Sequence, residues 1–251
     1  MKNLIIDYQD KVAILKLNKG ITNSLNLEFI KNISEHLQDI KEESSISSLV
    51  ITSKNKKFFS IGFDIPELYE LDREGMNRFY KNYNRLCLDL YTFPKPTVAA
   101  ITGHAIAGGC ILTLCCDTRL IADGRKLMGL NEVKLGVPVP YPGDCILKQL
   151  VGTRNARDVM ETGEFYETDD LLRMGMVDLV LPLDKVLPKS IEKARILGER
   201  PSMAFRTIKR NRVEVIESHI KKYLEEKEEI FLDCWFSSEA RKQLKEAIEK
   251  F

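Results

Sequence analysis

The chain has 251 residues, of which 44% are hydrophobic, and its 38 basic residues nearly balance 37 acidic ones. This is enough apolar material for one large domain or two small ones with a sizeable core. A formal net charge of +1 produces no overall field that would draw the protein to nucleic acid or to an anionic membrane. Any anionic ligand must therefore be bound by local groups.

The N-terminus and the cysteines indicate a reduced, cytoplasmic protein. The first residues, MKNLIIDYQDKV, carry charges where a signal peptide needs an apolar core. No apolar run approaches the roughly 20 residues of a membrane span, so we expect no membrane contact. The cysteines form no C-x-x-C pair and the histidines lack metal spacing, which predicts buried thiols and no metal site. The cysteines are Cys87, Cys110, Cys115, Cys116, Cys145 and Cys234, and the histidines are His36, His104 and His219.

The first hundred residues alternate strands with helices. Two strands flank a short polar turn, and a helix with one apolar face follows Asn23 and Ser24. A third strand precedes a helix that ends before Pro94 and Pro96, and a fourth strand comes after these prolines. The predicted strands are Leu4–Tyr8, Val12–Leu17, Leu49–Thr52 and Thr97–Thr102, and the apolar faces are Ile30, Ile33, Leu37 and Ile40, then Phe79, Tyr83, Leu86 and Leu90.

The remaining sequence adds a buried helix, two strands and a helical tail. Small and apolar residues from Ala107 to Cys116 predict a buried helix that begins at the glycine pair 108–109. Strand character returns at Thr118–Ala122 and Val177–Leu181, so the predicted class is α/β. Beyond Leu187 only a charged amphipathic tract remains, which predicts a helical layer. A neighbouring subunit is one candidate for the surface on which this layer packs. Its apolar side carries Ile216, Ile220, Leu224, Phe231 and Trp235.

Two glycine-containing stretches suggest a pocket that stabilises an anion. Phe58–Asp64 (FFSIGFD) and Gly103–Cys110 (GHAIAGGC) each follow a predicted strand, and each places glycine beside a backbone N–H. In a dry site, such donors stabilise the charge that develops on a carbonyl oxygen by about 3 to 4 kcal/mol each. The pattern favours an enzyme that acts on an acyl group.

Other interpretations of these glycines remain open. They are compatible with close packing of a helix on a strand and no further role. Nucleotide binding is disfavoured, because Gly103–Gly109 matches neither G-x-G-x-x-G nor the G-x-x-x-x-G-K-S/T loop. A serine or thiol hydrolase is also disfavoured, because there is no G-x-S-x-G elbow, and His104 with Cys110 has no identifiable orienting partner.

A third stretch, Met128–Gly136 (MGLNEVKLG), places Glu132 inside a mostly apolar segment. The residue pattern alone favours a surface glutamate. If the side chain is instead partly desolvated, its pKa rises above about 4.3, and it becomes a better proton acceptor near neutral pH.

Taken together, these stretches resemble the crotonase family, the enoyl-CoA hydratase/isomerase superfamily, along nearly the whole chain. Within that family the sequence is most similar to delta-3, delta-2-enoyl-CoA isomerases. Their patterns NSLSLEF, AGGCLVALTCD and GLNETQLG are similar to NSLNLEF, AGGCILTLCCD and GLNEVKLG here. The matching segments are Asn23–Leu25, Phe59–Asp64, Gly103–Asp117 and Gly129–Gly136.

The resemblance implies a role for specific residues. The backbone N–H groups of Phe63 and Gly108 would form an oxyanion hole for a CoA enolate, and Glu132 would be the single acid/base. Ile111 stands where family hydratases carry another glutamate, and Pro140 where dienoyl-CoA isomerases carry an aspartate, so isomerisation of 3-enoyl-CoA to 2-trans-enoyl-CoA is favoured. The implied substrate-binding residues are Ser60, Ile61, Gly62, Asp64, Ile65, Gly109, Ile111 and Val137.

The resemblance also implies an architecture and an assembly. We expect a spiral of β-β-α repeats over residues 1–187, and a C-terminal helical region, residues 188–251, for trimerisation and active-site cover, in a homotrimer or dimer of trimers. Coenzyme A would be part of the substrate, so no separate cofactor is expected. Pro66 and Glu67 replace a basic residue that some relatives place near CoA. The lysines at 54, 56 and 57 are candidates for its phosphates, with a solvated loop as the alternative.

Two other functions stay open, since a fold alone does not determine chemistry. The same oxyanion hole also serves hydration, hydrolysis or decarboxylation of a CoA thioester. A catalytically silent protein that binds CoA thioesters is the third possibility, and it predicts binding without proton exchange at C2.

Overall fold

Ten strands form two sheets in the part of the chain that the computed structural model describes, residues 3–249. In chain order the strands are β1 Leu4–Gln9, β2 Val12–Leu17, β3 Ser48–Ser53, β4 Phe58–Ser60, β5 Thr97–Ile101, β6 His104–Ile106, β7 Thr118–Ala122, β8 Met128–Gly129, β9 Phe165–Tyr166 and β10 Leu179–Leu181. The larger sheet has the order β1-β2-β3-β5-β7-β10, and the smaller sheet has the order β4-β6-β8-β9. Each sheet is parallel except for one antiparallel pair at an edge, β1 with β2 and β8 with β9.

The helices surround these sheets. They are α1 Leu27–Glu42, α2 Ile65–Tyr69, α3 Arg73–Tyr91, α4 Gly108–Leu114, α5 Tyr141–Thr162, α6 Thr168–Met174, α7 Leu183–Gly198, α8 Ser202–Trp235 and α9 Ser238–Ile248, with a short 3-10 helix at Glu132–Leu135. No helix within residues 3–249 is both long and apolar enough to cross a membrane.

The strands and helices predicted for the first hundred residues are confirmed, with a small shift at one helix start. Helix α1 buries the predicted apolar face, but it begins after Asn26. The Asn26 side chain accepts a hydrogen bond from the Phe29 N–H at 3.0 Å, so it satisfies an amide that the first helical turn leaves free. Asn23 instead donates from its side chain to the Phe59 carbonyl at 2.9 Å and helps to hold the loop before the helix.

The smaller sheet, which the sequence did not predict, positions the glycine stretches. Strands β4 and β6 are parallel neighbours, with Phe58 opposite His104. Because the carboxyl ends of parallel neighbours lie at the same edge of a sheet, the segments that follow these strands meet there. Helix α4 begins at that edge, and all of its residues are buried, as the run of small and apolar residues predicts.

The tail is helical, as predicted, and it packs on the same chain. Helix α7 covers one face of the larger sheet, α8 lies against α3 and α5, and α9 contacts α2 and the 3-10 helix. The predicted boundary between residues 187 and 188 falls inside α7, and the division into two regions stays a prediction. The buried residues of α8 include Ile220, Phe231 and Trp235 from the predicted apolar side.

Candidate active site

Two backbone segments approach each other at the end of the smaller sheet. Gly62 has a φ of +88°, and a Cβ at this position would lie 2.9 Å from the Gly108 nitrogen and 3.1 Å from the Ile106 carbonyl oxygen. Only glycine fits both this backbone conformation and this close approach. The sequence stretches Phe58–Asp64 and Gly103–Cys110 are therefore neighbours in the fold, as the argument for a shared pocket requires.

Each segment carries a backbone N–H that has no acceptor among residues 3–249. Gly108 is the first residue of α4, where helix geometry leaves the N–H unpaired. Around Phe63, the Gly62 carbonyl accepts from Leu25 and the Asp64 N–H donates to Leu25, whereas the Phe63 N–H has no acceptor among residues 3–249. Both donors therefore remain available for an external oxygen.

Tyr83 anchors Gly108 through the carbonyl of that residue. Its hydroxyl donates to the Gly108 carbonyl at 2.7 Å, and its ring packs edge-on against the Phe63 ring with centroids 4.8 Å apart. Phe79 makes a similar edge contact with Phe63 at 4.8 Å. The sequence predicted Tyr83 and Phe79 only as part of a buried helix face, because their contact with the glycine segment depends on how α3 packs on α4.

Glu132 is buried, so the surface position that the residue pattern favoured is wrong. The residue is 5% exposed, and its Oε2 has no hydrogen-bond partner within residues 3–249. Burial raises the pKa of its carboxyl from the usual 4.5 to about 8 and outweighs the opposing effect of a hydrogen bond from its own backbone N–H. A carboxyl with this pKa exchanges a proton readily near neutral pH.

Glu132 faces a mostly apolar cavity of about 210 Å³. Among the described residues it is the only ionisable one in the cavity wall, so no other side chain of residues 3–249 there is equipped to take up or release a proton. The wall is formed by Ile61, Phe63, Ile65, Ile106, Ala107, Gly108, Asn131, Glu132, Leu135, Val137, Phe165, Phe231, Trp235 and Ala247.

Six residues named from the sequence line this cavity. They include the three proposed catalytic residues, Phe63, Gly108 and Glu132, and three proposed substrate contacts, Ile61, Ile65 and Val137. The resemblance implied that the helical tail covers the active site, but it did not identify the tail residues that line this cavity, namely Phe231, Trp235 and Ala247. A single tryptophan within an amphipathic helix gives no sign of which cavity it borders.

Two of the remaining named residues position the loop rather than line the cavity. Ser60 is buried, its hydroxyl donates to the Asn23 carbonyl at 2.8 Å, and it accepts from the Gly62 N–H at 3.1 Å. Asp64 accepts from Lys19 at 2.9 Å and from Ser24 at 2.7 Å. Burial raises the pKa of Asp64, but these hydrogen bonds outweigh burial and leave the pKa below its usual value.

Gly109 and Ile111 pack inside the protein, and Gly62, described above, shapes the backbone. A Cβ on Gly109 would lie 2.6 Å from the Ser60 Cβ, so this glycine allows α4 to sit directly on β4. Ile111 is fully buried, and its side chain fills the space beside Gly143. A Cβ added to Gly143 would lie 2.7 Å from the Ile111 Cδ1. The apolar side chain at 111 therefore occupies a dry, filled position outside the cavity wall.

The other residues considered from the sequence lie elsewhere. His104 accepts a hydrogen bond from the Leu127 N–H at 3.0 Å. Burial raises the pKa of the Cys110 thiol far above its usual range, which makes that thiol a poor nucleophile. Lys54 and Lys56 line a separate cavity of about 460 Å³ at the ends of β2 and β3. Within residues 3–249, no group of three or more histidine, cysteine or acidic side chains is arranged to hold a metal ion.

Residues 7–251 match the family profile described as Enoyl-CoA hydratase/isomerase. The chain belongs to this family. The crystal structure of human mitochondrial delta3-delta2-enoyl-CoA isomerase superimposes with a TM-score of 0.95 at 26% sequence identity, over 99% of this chain and 98% of the human one. The resemblance and the fold class predicted from the sequence, a crotonase-like α/β fold with a C-terminal helical region, are therefore confirmed.

Curated relatives of two kinds are similar to the chain. Mouse mitochondrial enoyl-CoA delta isomerase 1 is 36% identical over 180 residues, which is 71% of this chain but only 62% of the length of the mouse protein. Crotonyl-CoA hydratase of Syntrophomonas wolfei is 26% identical over 250 residues, covering 99% of this chain and 96% of that protein. Membership in the enoyl-CoA hydratase/isomerase family thus leaves the individual reaction to be argued from the site.

Proposed function

We propose that this family member is a delta-3, delta-2-enoyl-CoA isomerase, which moves the double bond of a 3-enoyl-CoA thioester to the 2-trans position. The observation that carries the proposal is the isolation of Glu132, the one ionisable group that residues 3–249 contribute to the wall of the apolar cavity. Double-bond migration needs one group that removes a proton and returns it. Hydration also needs a water that is held and activated.

The proposed reaction has two proton transfers on the same carboxyl group. Ionised Glu132 removes a proton from C2, and the electron pair of the C–H bond forms an enolate whose charge lies largely on the thioester oxygen. Protonated Glu132 then delivers the proton to C4, the double bond between C3 and C4 moves to C2 and C3, and the carbonyl re-forms. No atom is lost or gained, and Glu132 returns to its ionised state.

The N–H groups of Phe63 and Gly108 would stabilise the enolate. Both residues line the same cavity as Glu132, and neither N–H has an acceptor among the described residues. Loss of one such donor typically lowers kcat by about 10²- to 10³-fold, because it acts on charge that is present only after the proton has left. The Tyr83 hydroxyl, which holds the Gly108 carbonyl at 2.7 Å, would keep this donor in place.

The filled, apolar position of Ile111 supports isomerisation over hydration. A hydratase that uses paired carboxylates would need a carboxylate at this position, where the chain has a buried isoleucine packed against Gly143. The full-length similarity to crotonyl-CoA hydratase makes hydration the second candidate. Hydrolysis, decarboxylation and silent CoA-thioester binding remain alternatives that turnover measurements will separate.

The test is turnover of cis- and trans-3-hexenoyl-CoA against crotonyl-CoA, run in parallel in H₂O and in D₂O. We expect 2-trans-hexenoyl-CoA as the product, deuterium at C2 or C4, and hydration of crotonyl-CoA that is much slower. Faster hydration than isomerisation would replace the isomerase with a hydratase. Tight binding without deuterium exchange would indicate a silent binding protein.

We further propose that the protein acts in the cytoplasm as a homotrimer or a dimer of trimers, with CoA as part of its substrate and without a separate cofactor. Several apolar residues of α8, Met203, Ile208 and Val215, are largely exposed in the isolated chain. Such residues are typical of surfaces between subunits. Light scattering coupled to size exclusion would measure the mass, and a monomer would refute this assembly.

A further inference from the structure

The residue before the proposed donor Gly108 has an unusual backbone conformation. Within residues 3–249, Asp10, Asn23 and Ala107 are the residues other than glycine with a positive φ. Aspartate and asparagine tolerate this conformation through their short polar side chains, which alanine lacks. With a φ of +48° and a ψ of −125°, Ala107 lies outside the regions open to a residue with a Cβ, so its conformation costs free energy.

Hydrogen bonds on both sides hold Ala107 in this conformation. Its N–H donates to the Gly129 carbonyl at 2.9 Å, and its carbonyl accepts from the Ile111 N–H at 3.0 Å. The Tyr83 hydroxyl holds the next carbonyl, that of Gly108, at 2.7 Å, and so limits how far this glycine can adjust. Strained backbone conformations persist where the surrounding structure over-determines them in this way.

The strained conformation sets the direction of the proposed oxyanion donor. The carbonyl of Ala107 and the N–H of Gly108 belong to one trans peptide, so they point in opposite directions. Because the carbonyl points along α4 to the Ile111 N–H, the Gly108 N–H points out of the start of the helix. At this end of α4, Ala107 and Gly108 both line the cavity.

Relaxation of the strain would turn the donor away. At a φ of about +50°, a residue other than glycine is most stable with a ψ of about +50°, in the left-handed helical region. From a ψ of −125°, Ala107 reaches that region when its peptide with Gly108 rotates by about half a turn. The carbonyl would then point to the cavity and the N–H into α4. Glycine at position 108 tolerates the accompanying change in its own φ.

We propose that Ala107 is a positioning residue, whose strained backbone conformation aims the Gly108 N–H at the thioester oxygen. The hydrogen bonds around it keep this orientation against the preference of alanine for the relaxed one. Glycine at position 107 would keep the orientation without the strain, because glycine adopts positive φ as readily as negative φ. The inference rests on the proposed function in one respect, that the Gly108 N–H binds the thioester oxygen.

The first test measures the strain by thermal unfolding of the full chain. Ala107→Gly removes the strain, so it should raise the melting temperature by about 2 to 6 °C, after allowance for the greater freedom of glycine in the unfolded chain. The control is Ala204→Gly at an exposed position of α8, where glycine should lower the melting temperature by about 1 to 4 °C. An unchanged or lower melting temperature of Ala107→Gly would overturn the proposal.

The second test measures the direction of the donor with hexanoyl-CoA, which is saturated and cannot isomerise. Infrared difference spectra of the ligand with ¹²C and with ¹³C at C1 isolate the stretching frequency of the bound thioester carbonyl. A hydrogen bond from the Gly108 N–H lowers this frequency. Tyr83→Phe releases the neighbouring carbonyl, so the strain at Ala107 can relax. The frequency should then move back toward that of free hexanoyl-CoA, and the ligand should bind about 3- to 10-fold more weakly.

A double variant assigns this loss to position 107. With Ala107→Gly there is no strain to release, so adding Tyr83→Phe should change the affinity by less than about twofold and leave the carbonyl at the frequency seen in the parent. The two substitutions are then non-additive, as expected for residues that act on one peptide. Equal effects of Tyr83→Phe with alanine and with glycine at position 107, or no effect with either, would overturn the proposal.

The outcome is separable from that of the proposed function. Binding needs no turnover, so absence of isomerase activity with an intact carbonyl shift would reject only the reaction. A carbonyl shift in the parent with additive effects of the two substitutions would reject only the role of Ala107. A bound carbonyl at the frequency of free hexanoyl-CoA in the parent would reject the oxyanion hole, and the role of Ala107 with it.

Discussion

Replacing Glu132 by glutamine should change the stability of the protein in a pH-dependent way. The parent carboxyl is buried without a partner for Oε2, and its pKa is about 8 instead of 4.5. The protein therefore folds most favourably with this group protonated. Its contribution to stability is present in full below about pH 4.5 and is lost as the pH rises through about 8. Glutamine resembles the protonated acid at every pH.

The size of the effect follows from the two pKa values. At about 1.4 kcal/mol for each tenfold change in proton affinity, a rise from 4.5 to about 8 corresponds to about 5 kcal/mol. Between pH 5 and pH 9, the stability of Glu132→Gln relative to the parent should increase by about 4 kcal/mol. For a chain of this size, a change of about 4 kcal/mol corresponds to about 10 °C in melting temperature. The melting temperature of the variant relative to the parent should therefore rise by about 10 °C between pH 5 and pH 9.

The assay is thermal unfolding of parent and variant at several pH values from 5 to 9, with urea unfolding at the two ends. Other titrating groups are common to both proteins and cancel in the difference. Glu161→Gln, at an exposed position of α5, is the matched control and should show no such trend. A difference between Glu132→Gln and parent that stays constant with pH would refute the burial argument.

The same substitution tests the catalytic role. Loss of a general base typically lowers the rate by about 10²- to 10⁴-fold, and here the loss should appear in kcat, with thioester binding retained. In the parent, kcat/KM should rise with pH and level off above about 8, because only the ionised carboxyl accepts the C2 proton. Turnover of the variant within tenfold of the parent would reject Glu132 as the base.

Three further substitutions probe the rest of the site. Gly108→Pro removes the proposed oxyanion donor, whereas the control Gly108→Ala meets the same close neighbours but keeps the N–H. The proline variant should have a kcat about 10²- to 10³-fold lower than that of the alanine variant. Equal kcat values would exclude this donor. Tyr83→Phe removes the 2.7 Å bond to the Gly108 carbonyl and should lower kcat by up to about tenfold, while an unchanged kcat would mean that packing alone holds the peptide. Ile111→Glu should hydrate crotonyl-CoA faster than the parent and the control Ile111→Gln do. Because the new carboxylate is buried, urea unfolding should show a stability loss of a few kcal/mol. No gain in hydration by the folded variant would show that position 111 does not reach the reacting carbons.

Local sequence patterns predicted the elements that depend on local preferences. Strands β1, β2, β3, β5 and β7 are runs of apolar residues between turns, and α1 and α3 have regular apolar faces. The short strands β4, β6, β8 and β9 have only two or three residues each. They exist because the segments around them bring their backbones together, and runs this short carry no periodicity from which to predict them.

Helix α5 shows a different limit. It spans Tyr141–Thr162, but Gly152 inside it has a φ of +75° and a ψ of 163°, so the helix is interrupted there. No helix was predicted for this segment. Its apolar residues, among them Ile146, Val151 and Val159, are buried, but the interruption breaks the regular spacing by which a single helix face is recognised in a sequence.

The burial of Glu132 depends on residues about a hundred positions away in the sequence. Gly136 follows the 3-10 helix that carries Glu132. A Cβ at this glycine would lie 3.1 Å from the Ala240 Cβ, so α9 packs directly on this turn. Trp235 and Phe231 of α8 close the cavity beside it. The residues next to Glu132 in the sequence include the exposed Val133, and they are consistent with a surface turn. The helical tail packs on this turn together with α5, so it contributes to the burial that raises the pKa of Glu132, although none of its described residues in the cavity wall is an acid or a base.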